Sequence, residues 1–432
     1  MRVLKKRYLK MHIRIASSLS IGSGENENTD HDILVNAEGI PYIPGSAVAG
    51  VTRHALAEAN LLDANQDKAL FGNVIINTQI DSDDMDLAAE SQIVTYDVQL
   101  RASDGEKLIV TNRDMVALDP FKTAITGGKF DMEVLEPGAT GVVIIEQNQT
   151  AETDSDPLLE IARIWCSGRV RFGAKTNRGY GAIEVTDLYE SSFDFSKEEE
   201  IRQWLAFSPR DQQNVHWKHL TDIKDVLNHE VRLVLDLQQV GGISIRKYTT
   251  EVCEKGTLPD YEQMTYANGD PVIPGTSWTG AFRHAIEGMI GKDETQKYFG
   301  TVENEHKTRS EICFSESRIT GGQNKQFTRG AVNRFTGGAA NKSLYTERTY
   351  YHGHTQLTIV LRRNHAENQV KFQNALAAAL VDLNEGFLSV GGETSIGRGL
   401  FTITALNGEK AADHAADLFA QIRKVFAEEG QA

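Results

Sequence analysis

The chain has 432 residues, 40% hydrophobic and 24% charged, a composition ordinary for globular domains and long enough for two well-buried cores. Its net charge of −15 argues against a non-specific polyanion binder but leaves room for a local basic groove on an acidic body. No apolar run is long enough to span a bilayer and no signal peptide is visible. The three cysteines, Cys166, Cys253 and Cys313, lack metal-ligand spacing, so the expectation is a cytoplasmic protein with reduced, buried thiols.

The first predicted element is a strand over Tyr8–Ile15. Leu9, Met11, Ile13 and Ile15 alternate with Lys10, His12 and Arg14, which predicts one apolar face and one basic, exposed face. A polar loop with Asp30 and Asp32 follows. Next comes the segment PYIPGSAVAGVTRHAL, Pro41 to Leu56. It recurs as PVIPGTSWTGAFRHAI, Pro271 to Ile286, at an offset of 230. Eight of the sixteen positions are identical, where ordinary residue usage would give about one. Copies so far apart indicate two whole domains.

In each copy the X-Pro pairs hold the chain extended. Gly45 and Gly275 permit a sharp turn, and Ser46 and Thr276 are N-cap candidates for a helix. Such a turn offers backbone N–H groups and a helix dipole to an anion. Gly50 and Gly280 leave one helix face bare, with Arg53 and Arg283 a turn away. This pattern suggests phosphate contact, and the competing reading is that each arginine pairs with a carboxylate of its own domain. His54 and His284 read as packed or hydrogen-bonded rather than catalytic.

Leu70-Phe71-Gly72 is echoed by Tyr298-Phe299-Gly300. Leu158, Leu159, Ala162 and Trp165 predict a closing helix, then the loop GAKTNRGYG from Gly173 to Gly181, then a short strand Ala182–Val185. The second copy opens with Val231, Leu233, Leu235 and Leu237 on one strand face. It closes with a helix carrying Phe372, Leu376, Ala379, Leu380 and Leu383, the loop GGETSIGRG from Gly391 to Gly399, and a strand Phe401–Ile403. The glycine loops match no dinucleotide or nucleoside-triphosphate fingerprint. They suit close passage of another chain, with Lys175, Arg178 and Arg398 at hand for phosphates, or else tight turns at a domain edge. Ser191–Glu230 has no counterpart and reads as a linker that partly packs on the first domain, with a helix over Lys197–Leu205. A last helix carrying Leu418, Phe419, Ile422, Val425 and Phe426 docks on the second domain. The expected division is 1–190, a linker 191–229, and 230–432. Carrying the offset upstream sets Asp30 opposite Asp260, Asp32 opposite Glu262 and Gly39 opposite Gly269.

The IPG-x-x-x-x-G-x-x-R helix turns at Ile43–Arg53 and Ile273–Arg283, the Phe-Gly pairs and the terminal glycine loops resemble the RAMP superfamily (repeat-associated mysterious proteins). The likeness is to backbone subunits of type III CRISPR effector complexes, here two in one chain as in the fused subunits of subtype D variants. The resemblance implies an α+β fold: two tandem modified ferredoxin-like (RRM-like) domains with thumb hairpins near Met115–Leu135 and Val332–Leu344. It implies guide CRISPR RNA, target RNA and other effector subunits as partners, and no membrane. It further implies that a loop aspartate ahead of the turn, Asp30 or Asp260, cuts kinked target RNA with a divalent metal such as Mg²⁺, Asp32 and Glu262 being second choices. RNA contact falls to Gly45, Ser46, Arg53, Lys175, Arg178, Gly275, Thr276, Arg283 and Arg398. Ala47, Ala49 and Thr279 depart from the serine and lysine common in the family turn, which shifts guide contact toward the arginines and backbone N–H groups. Two further readings stay open: a purely structural RNA-binding subunit, and a guide-processing endoribonuclease using His12, His31 or His54.

Overall fold

The computed structural model describes residues 3–24, 29–72, 90–103, 107–119, 123–150, 156–210, 216–221, 223, 230–247, 259–303, 306–341, 343–362 and 369–428. The chain forms two compact units. Unit 1 is Met1–Thr111, Glu133–Ala174 and Gly181–Leu227; unit 2 is Asn112–Met132, Lys175–Tyr180 and Asn228–Ala432. The units interleave along the chain, whereas the sequence repeat runs in chain order.

Unit 1 is built on an antiparallel sheet. Its strands run, in spatial order, Ile93–Thr95, Thr140–Gln149, Lys5–Ile15, Ile183–Asp194 and Lys218–His219. The four strands of the repeat thus lie second–third–first–fourth, the order of a ferredoxin-like split βαβ sheet. The alternation read in the first strand is real: Leu9, Met11, Ile13 and Ile15 are buried. They pack against helices α1 (Gly45–Glu58) and α3 (Pro157–Cys166), whose Val48, Leu56, Ile161 and Trp165 are also buried. Each such side chain contributes about 1.5–3 kcal/mol on leaving water. Trp165 donates its indole N–H to Thr52 at 3.0 Å, so the largest core side chain leaves no polar atom unsatisfied.

The opposite face of that strand is only in part the exposed basic surface expected: Arg14 is exposed and His12 half-buried. Lys10 is buried, its ammonium 5.0 Å from the Tyr189 ring and 4.2 Å from Trp217. The strand after the first glycine loop continues to Asp194 rather than stopping at Val185, because Phe193 turns inward against Tyr8 and Phe207. Helix α4 (Glu198–Ala206) sends Trp204 to the Tyr8 hydroxyl at 2.9 Å. Part of the segment read as linker is therefore a lid of aromatic rings over the basic face. Cation–π attraction and burial of the methylene stem favour a lysine beneath aromatic rings.

Unit 2 repeats the plan. Its main sheet runs Val272–Ile273, Ser317–Thr320, His354–Arg362, Glu230–Val240, Leu400–Leu406 and Glu409–Lys410, with Ile312–Phe314 also paired to His354–Arg362. Helices α5 (Gly275–Ile290), α7 (Gln369–Asn384) and α8 (Ala415–Glu428) close over it, and Phe372, Leu376, Ala379, Leu380, Leu383, Leu418, Ile422 and Phe426 are buried in its core. Even an irregularity repeats. The opening strands of both units carry a register shift, at His12/Ile13 and at Asp236/Leu237.

Two hairpins project from the repeats. The first pairs Val110–Leu118 with Ala124–Leu135; the second pairs Gln323–Arg329 with Tyr345–Tyr351 and carries the irregular stretch 330–344 at its end. Both hairpins are longer than the expected 115–135 and 332–344, since regular pairing begins before the glycine-rich stretches. Residues 120–122 and Cys253 lie outside the described residues. Cys313 is buried as expected, but Cys166 is exposed at the end of α3. Among the described residues no helix is long and apolar enough to cross a membrane.

Candidate nucleic-acid interface

The loops ahead of the two helix turns close with a corresponding bond: Leu34 N–H donates to Ile21 O at 2.7 Å, and Met264 N–H to Ile245 O at 2.7 Å. The donors are 230 positions apart and the acceptors 224, so the second loop is six residues longer. The turns Asn36–Ile40 and Tyr266–Asp270 close with the same bonds, and Gly39 and Gly269 both take positive φ. Counted back from those turns, Asp30 stands opposite Asp260 and Asp32 opposite Glu262. Asp30 is exposed. Asp260 is exposed as well, and braces the second hairpin: its carboxylate accepts the Thr346 N–H at 2.7 Å while its own N–H donates to Thr346 O at 2.8 Å. The second choices have structural work. Asp32 is buried and accepts the Thr29 N–H and hydroxyl, each at 2.8 Å; Glu262 faces Arg348 at 3.5 Å.

Among the described residues no three His, Cys, Asp or Glu side chains converge as a metal cage. One exposed aspartate, Asp30 or Asp260, fits only a hydrated ion such as Mg²⁺, which takes most of its ligands from water and phosphate.

The helix turns correct the sequence reading in two ways. Pro44 and Pro274 are the N-caps, so Gly45 and Gly275 already belong to the helices and Ser46 and Thr276 sit in the first turn without capping. The glycines are needed for close approach rather than for a turn. A Cβ on Gly45 would lie 2.8 Å from Thr95 O, and one on Gly275 would overlap the carbonyls of Arg178 and Phe314. The anion expected at the first helix N-terminus is supplied by the chain itself, since Gly45 N–H donates to Asp97 Oδ1 at 2.7 Å. Gly50 and Gly280 do leave open space.

The repeated arginines differ. Arg53 binds Asp67 of helix α2 (Ala64–Phe71) through Nε at 2.8 Å and Nη2 at 2.5 Å, and this contact holds its pKa up. It is therefore not the unengaged phosphate ligand expected. In unit 2 the residue matching Asp67 on helix α6 (Lys292–Phe299) is Thr295, fully buried and bonded to Gly291 O. Arg283 accordingly has no carboxylate partner among the described residues. It lies close enough to Arg178 to oppose its charge. Although Arg178 is exposed to solvent, crowding by protein atoms and repulsion from Arg283 lower its pKa. Lys175 is held down to about 8 by burial and then by Arg178, and its ammonium sits 3.8 Å from the Phe130 ring centroid without a hydrogen-bond partner among the described residues. Arg178 thus feels Arg283, and Lys175 feels Arg178, all three within unit 2.

The glycine loops share one backbone form. Each has a short 3₁₀ turn, Thr176–Arg178 or Thr394–Ile396, between a residue and a glycine of positive φ: Lys175 and Gly179, Glu393 and Gly397. Any Cβ on Gly181 or Gly399 would overlap the carbonyl of Phe172 or Val390, so the close passage read from these glycines is of the chain's own backbone. Their chemistry diverges. Arg398 is buried and donates to Glu347 at 2.8 Å, which removes it from the expected phosphate contacts. Glu393, at the place of Lys175, is pushed up to about 7 by burial and by Glu347.

A family model described as the RAMP superfamily matches residues 12–184 and 221–402. The chain belongs to the RAMP superfamily. The matched regions are the two copies of the repeat. Among solved structures, one chain of the type III-B Cmr-beta complex, determined by cryo-electron microscopy with cognate target RNA bound, is 15% identical with a TM-score of 0.32. The match covers 43% of this chain and 62% of that one, so less than two thirds of that relative is spanned. A search of curated proteins finds no match.

Within this RAMP chain, sequence reasoning overlooked three features. Arg113, in the first hairpin, is buried in an ion pair with Glu316, which also accepts the Tyr266 hydroxyl at 2.7 Å. Burial opposes the Arg113 charge, but Glu316 and Tyr180 outweigh it and raise its pKa. Asp97 matches Glu316 at an offset of 219, visible only from the serines that cap the preceding strands, Ser91 and Ser310. Phe335, on the second hairpin, is 100% exposed, and an isolated phenylalanine in a loop carries no sequence signal for that.

Proposed function

We propose that this chain is a guide-RNA-binding backbone subunit of a type III CRISPR RNA-guided effector complex, and that Asp30 and Asp260 cut the bound target RNA. The observation that carries the RNA-binding part is the cation group Lys175, Arg178 and Arg283 in unit 2, two of its members with depressed pKa values. Such a group recovers its charge energy when a phosphodiester enters. The exposed Phe335 on a projecting hairpin supports the thumb reading, because an aromatic face can stack on a displaced base. The negative net charge fits a subunit whose RNA runs along one groove of a larger assembly.

Cleavage rests on Asp30 and Asp260, exposed residues that the repeat sets opposite each other ahead of the helix turns. In this reading the 2′-hydroxyl next to the scissile phosphate attacks phosphorus. It loses its proton and expels the 5′-oxygen, which takes up a proton from water, leaving a cyclic phosphate and a free 5′-hydroxyl. Kinking of the strand aligns nucleophile and leaving group and accounts for much of the rate. Asp30 and Asp260 either accept the hydroxyl proton or hold the water shell of the divalent ion. When bound, that ion neutralises charge on the phosphate oxygens.

The test is a map of cleaved ends on guide-matched RNA, using assembled complex with Mg²⁺. Asp30→Asn and Asp260→Asn should each remove one set of ends while leaving assembly unchanged. Unaltered ends in both variants would leave a structural RNA-binding subunit. Cleavage of repeat RNA by the isolated chain without metal would instead favour a processing enzyme.

A further inference from the structure

A buried charge cluster joins the second glycine loop to the base of the second hairpin. Glu347 lies on the strand Tyr345–Tyr351, and Glu393 opens the 3₁₀ turn of the loop Gly391–Gly399, both within unit 2. Their side chains are 1% and 9% exposed. Arg398 reaches both: its Nη2 lies 2.8 Å from Glu347 Oε1, and its Nε 3.8 Å from Glu393 Oε2. The Arg398 guanidinium is itself held against the hairpin, 4.9 Å from the Tyr351 ring centroid and 5.8 Å from that of Phe327.

The cluster lacks one donor. Glu347 Oε1 accepts from Arg398 and faces Arg329 at 3.1 Å, whereas Glu393 Oε1 meets Arg246 only at 3.5 Å. The other oxygens, Glu347 Oε2 and Glu393 Oε2, are buried and find no donor among the described residues. Yet the two carboxyl groups lie within hydrogen-bond reach of each other. Ionised carboxylates only accept, so this contact forms when one of the two carries a proton. The other charged side chains packed around the pair have partners of their own: Arg246 stacks on Tyr261 at 4.1 Å, Lys325 lies over Tyr351 at 5.2 Å, and Glu262 faces Arg348. The pair's acidity agrees with this geometry. Burial and then Glu347 push the Glu393 carboxyl up to about 7. Burial opposes the Glu347 charge, but its contacts with Glu393 and Arg398 outweigh it and lower its pKa.

We propose that Glu347 and Glu393 share one proton, and that this acid pair latches the glycine loop Gly391–Gly399 onto the base of the second hairpin. The loop supplies Glu393 and Arg398, and the hairpin supplies Glu347, so both links cross from one element to the other. In the latched form the proton stays on the pair. When the loop lifts, Glu393 returns to water and to its ordinary range, and the proton passes to solvent. The latched form therefore holds the extra proton between pH 4.5 and about 7. The latch is strongest at the acid end of that window, weakens as pH rises through it, and changes no further above. The first glycine loop has Lys175 at the place of Glu393, so the device belongs to the second copy alone. The inference rests on the burial and spacing of the pair and not on RNA binding or cleavage, and its test uses no RNA.

The experiment follows amide hydrogen exchange of the full-length chain by mass spectrometry from about pH 5 to about pH 8, corrected for the intrinsic exchange rate. The reporting peptides hold Gly392 and Gly399, whose N–H groups donate to Ser244 O and Gly242 O at 2.8 Å each. Their protection should fall by up to about tenfold per pH unit until about pH 7 and then level off. Glu393→Gln, whose amide donates to Glu347 at any pH, should keep protection high throughout, and Glu393→Ala should leave it low throughout. The infrared difference between the unmodified chain and Glu393→Gln should show the C=O band of a protonated carboxyl at about pH 6, gone by about pH 8. Flat protection in the unmodified chain, an equal fall in Glu393→Gln, or no carboxyl band would each overturn the proposal. So would protection that Mg²⁺ raises and a chelator removes, since the shared group would then be a metal ion and not a proton.

Discussion

At position 295 unit 2 has a buried threonine where unit 1 has Asp67, and this exchange leaves Arg283 without the carboxylate that engages Arg53. Arg283→Ala should therefore weaken RNA binding and flatten its salt dependence, by about 0.7 in the log–log slope for a single-stranded contact. Arg53→Ala should leave RNA affinity nearly unchanged and cost about 0.2–1 kcal/mol of stability, the range for a partly exposed ion pair. Filter binding across a salt series and chemical denaturation separate the two. Lys175 adds a pH signature. Its pKa in the free protein is held down to about 8, and a phosphate beside it raises that value. Affinity should be constant below about pH 7 and fall as pH rises through 8, where the free protein must take up a proton to bind. Lys175→Arg should keep affinity and remove the fall; a pH titration of RNA affinity measures both. The arginine repeat was plain in the sequence, whereas its unequal pairing was not, because Asp67 and Thr295 lie on neighbouring helices whose register only folding reveals.

The elements that carry these residues were legible to different degrees. The alternating strand Lys5–Ile15, the helices α1 and α5 and the buried faces of α3 and α7 follow directly from hydrophobic spacing. The aromatic cover over Lys10 does not, since Tyr189 and Trp217 meet it from distant segments. Nor does the anchoring of the first hairpin by Arg113 on Glu316, 203 positions along the chain. Arg113→Met should lower the stability of unit 2 by about 3–5 kcal/mol in denaturant unfolding, because it strands a buried carboxylate. Adding Glu316→Leu should recover much of the loss. The second hairpin makes the opposite prediction. Phe335 is fully exposed, so Phe335→Ala should leave the melting temperature unchanged while weakening RNA binding by about 1–3 kcal/mol, the worth of one base–aromatic stack. Equal RNA affinity in the two proteins would remove Phe335 from the interface.

For the molecule as a whole, duplication explains why both copies share a bulge, a helix turn and a glycine loop, and why they differ where partners differ. The RAMP assignment, the two-copy organisation and the equivalence of Asp30 with Asp260 were already determined by the sequence. Each depends on residue spacing along the chain, and spacing survives without knowledge of contacts. Only the tertiary structure decided which charges stay available. It buried Arg398 against Glu347, bound Arg53 to Asp67, filled the first helix N-terminus with Asp97 and left Lys175, Arg178 and Arg283 together. The physical reason is that pairing and desolvation act over a few ångströms in space, and the groups concerned, neighbours Lys175 and Arg178 aside, lie from 14 to 108 positions apart in the chain.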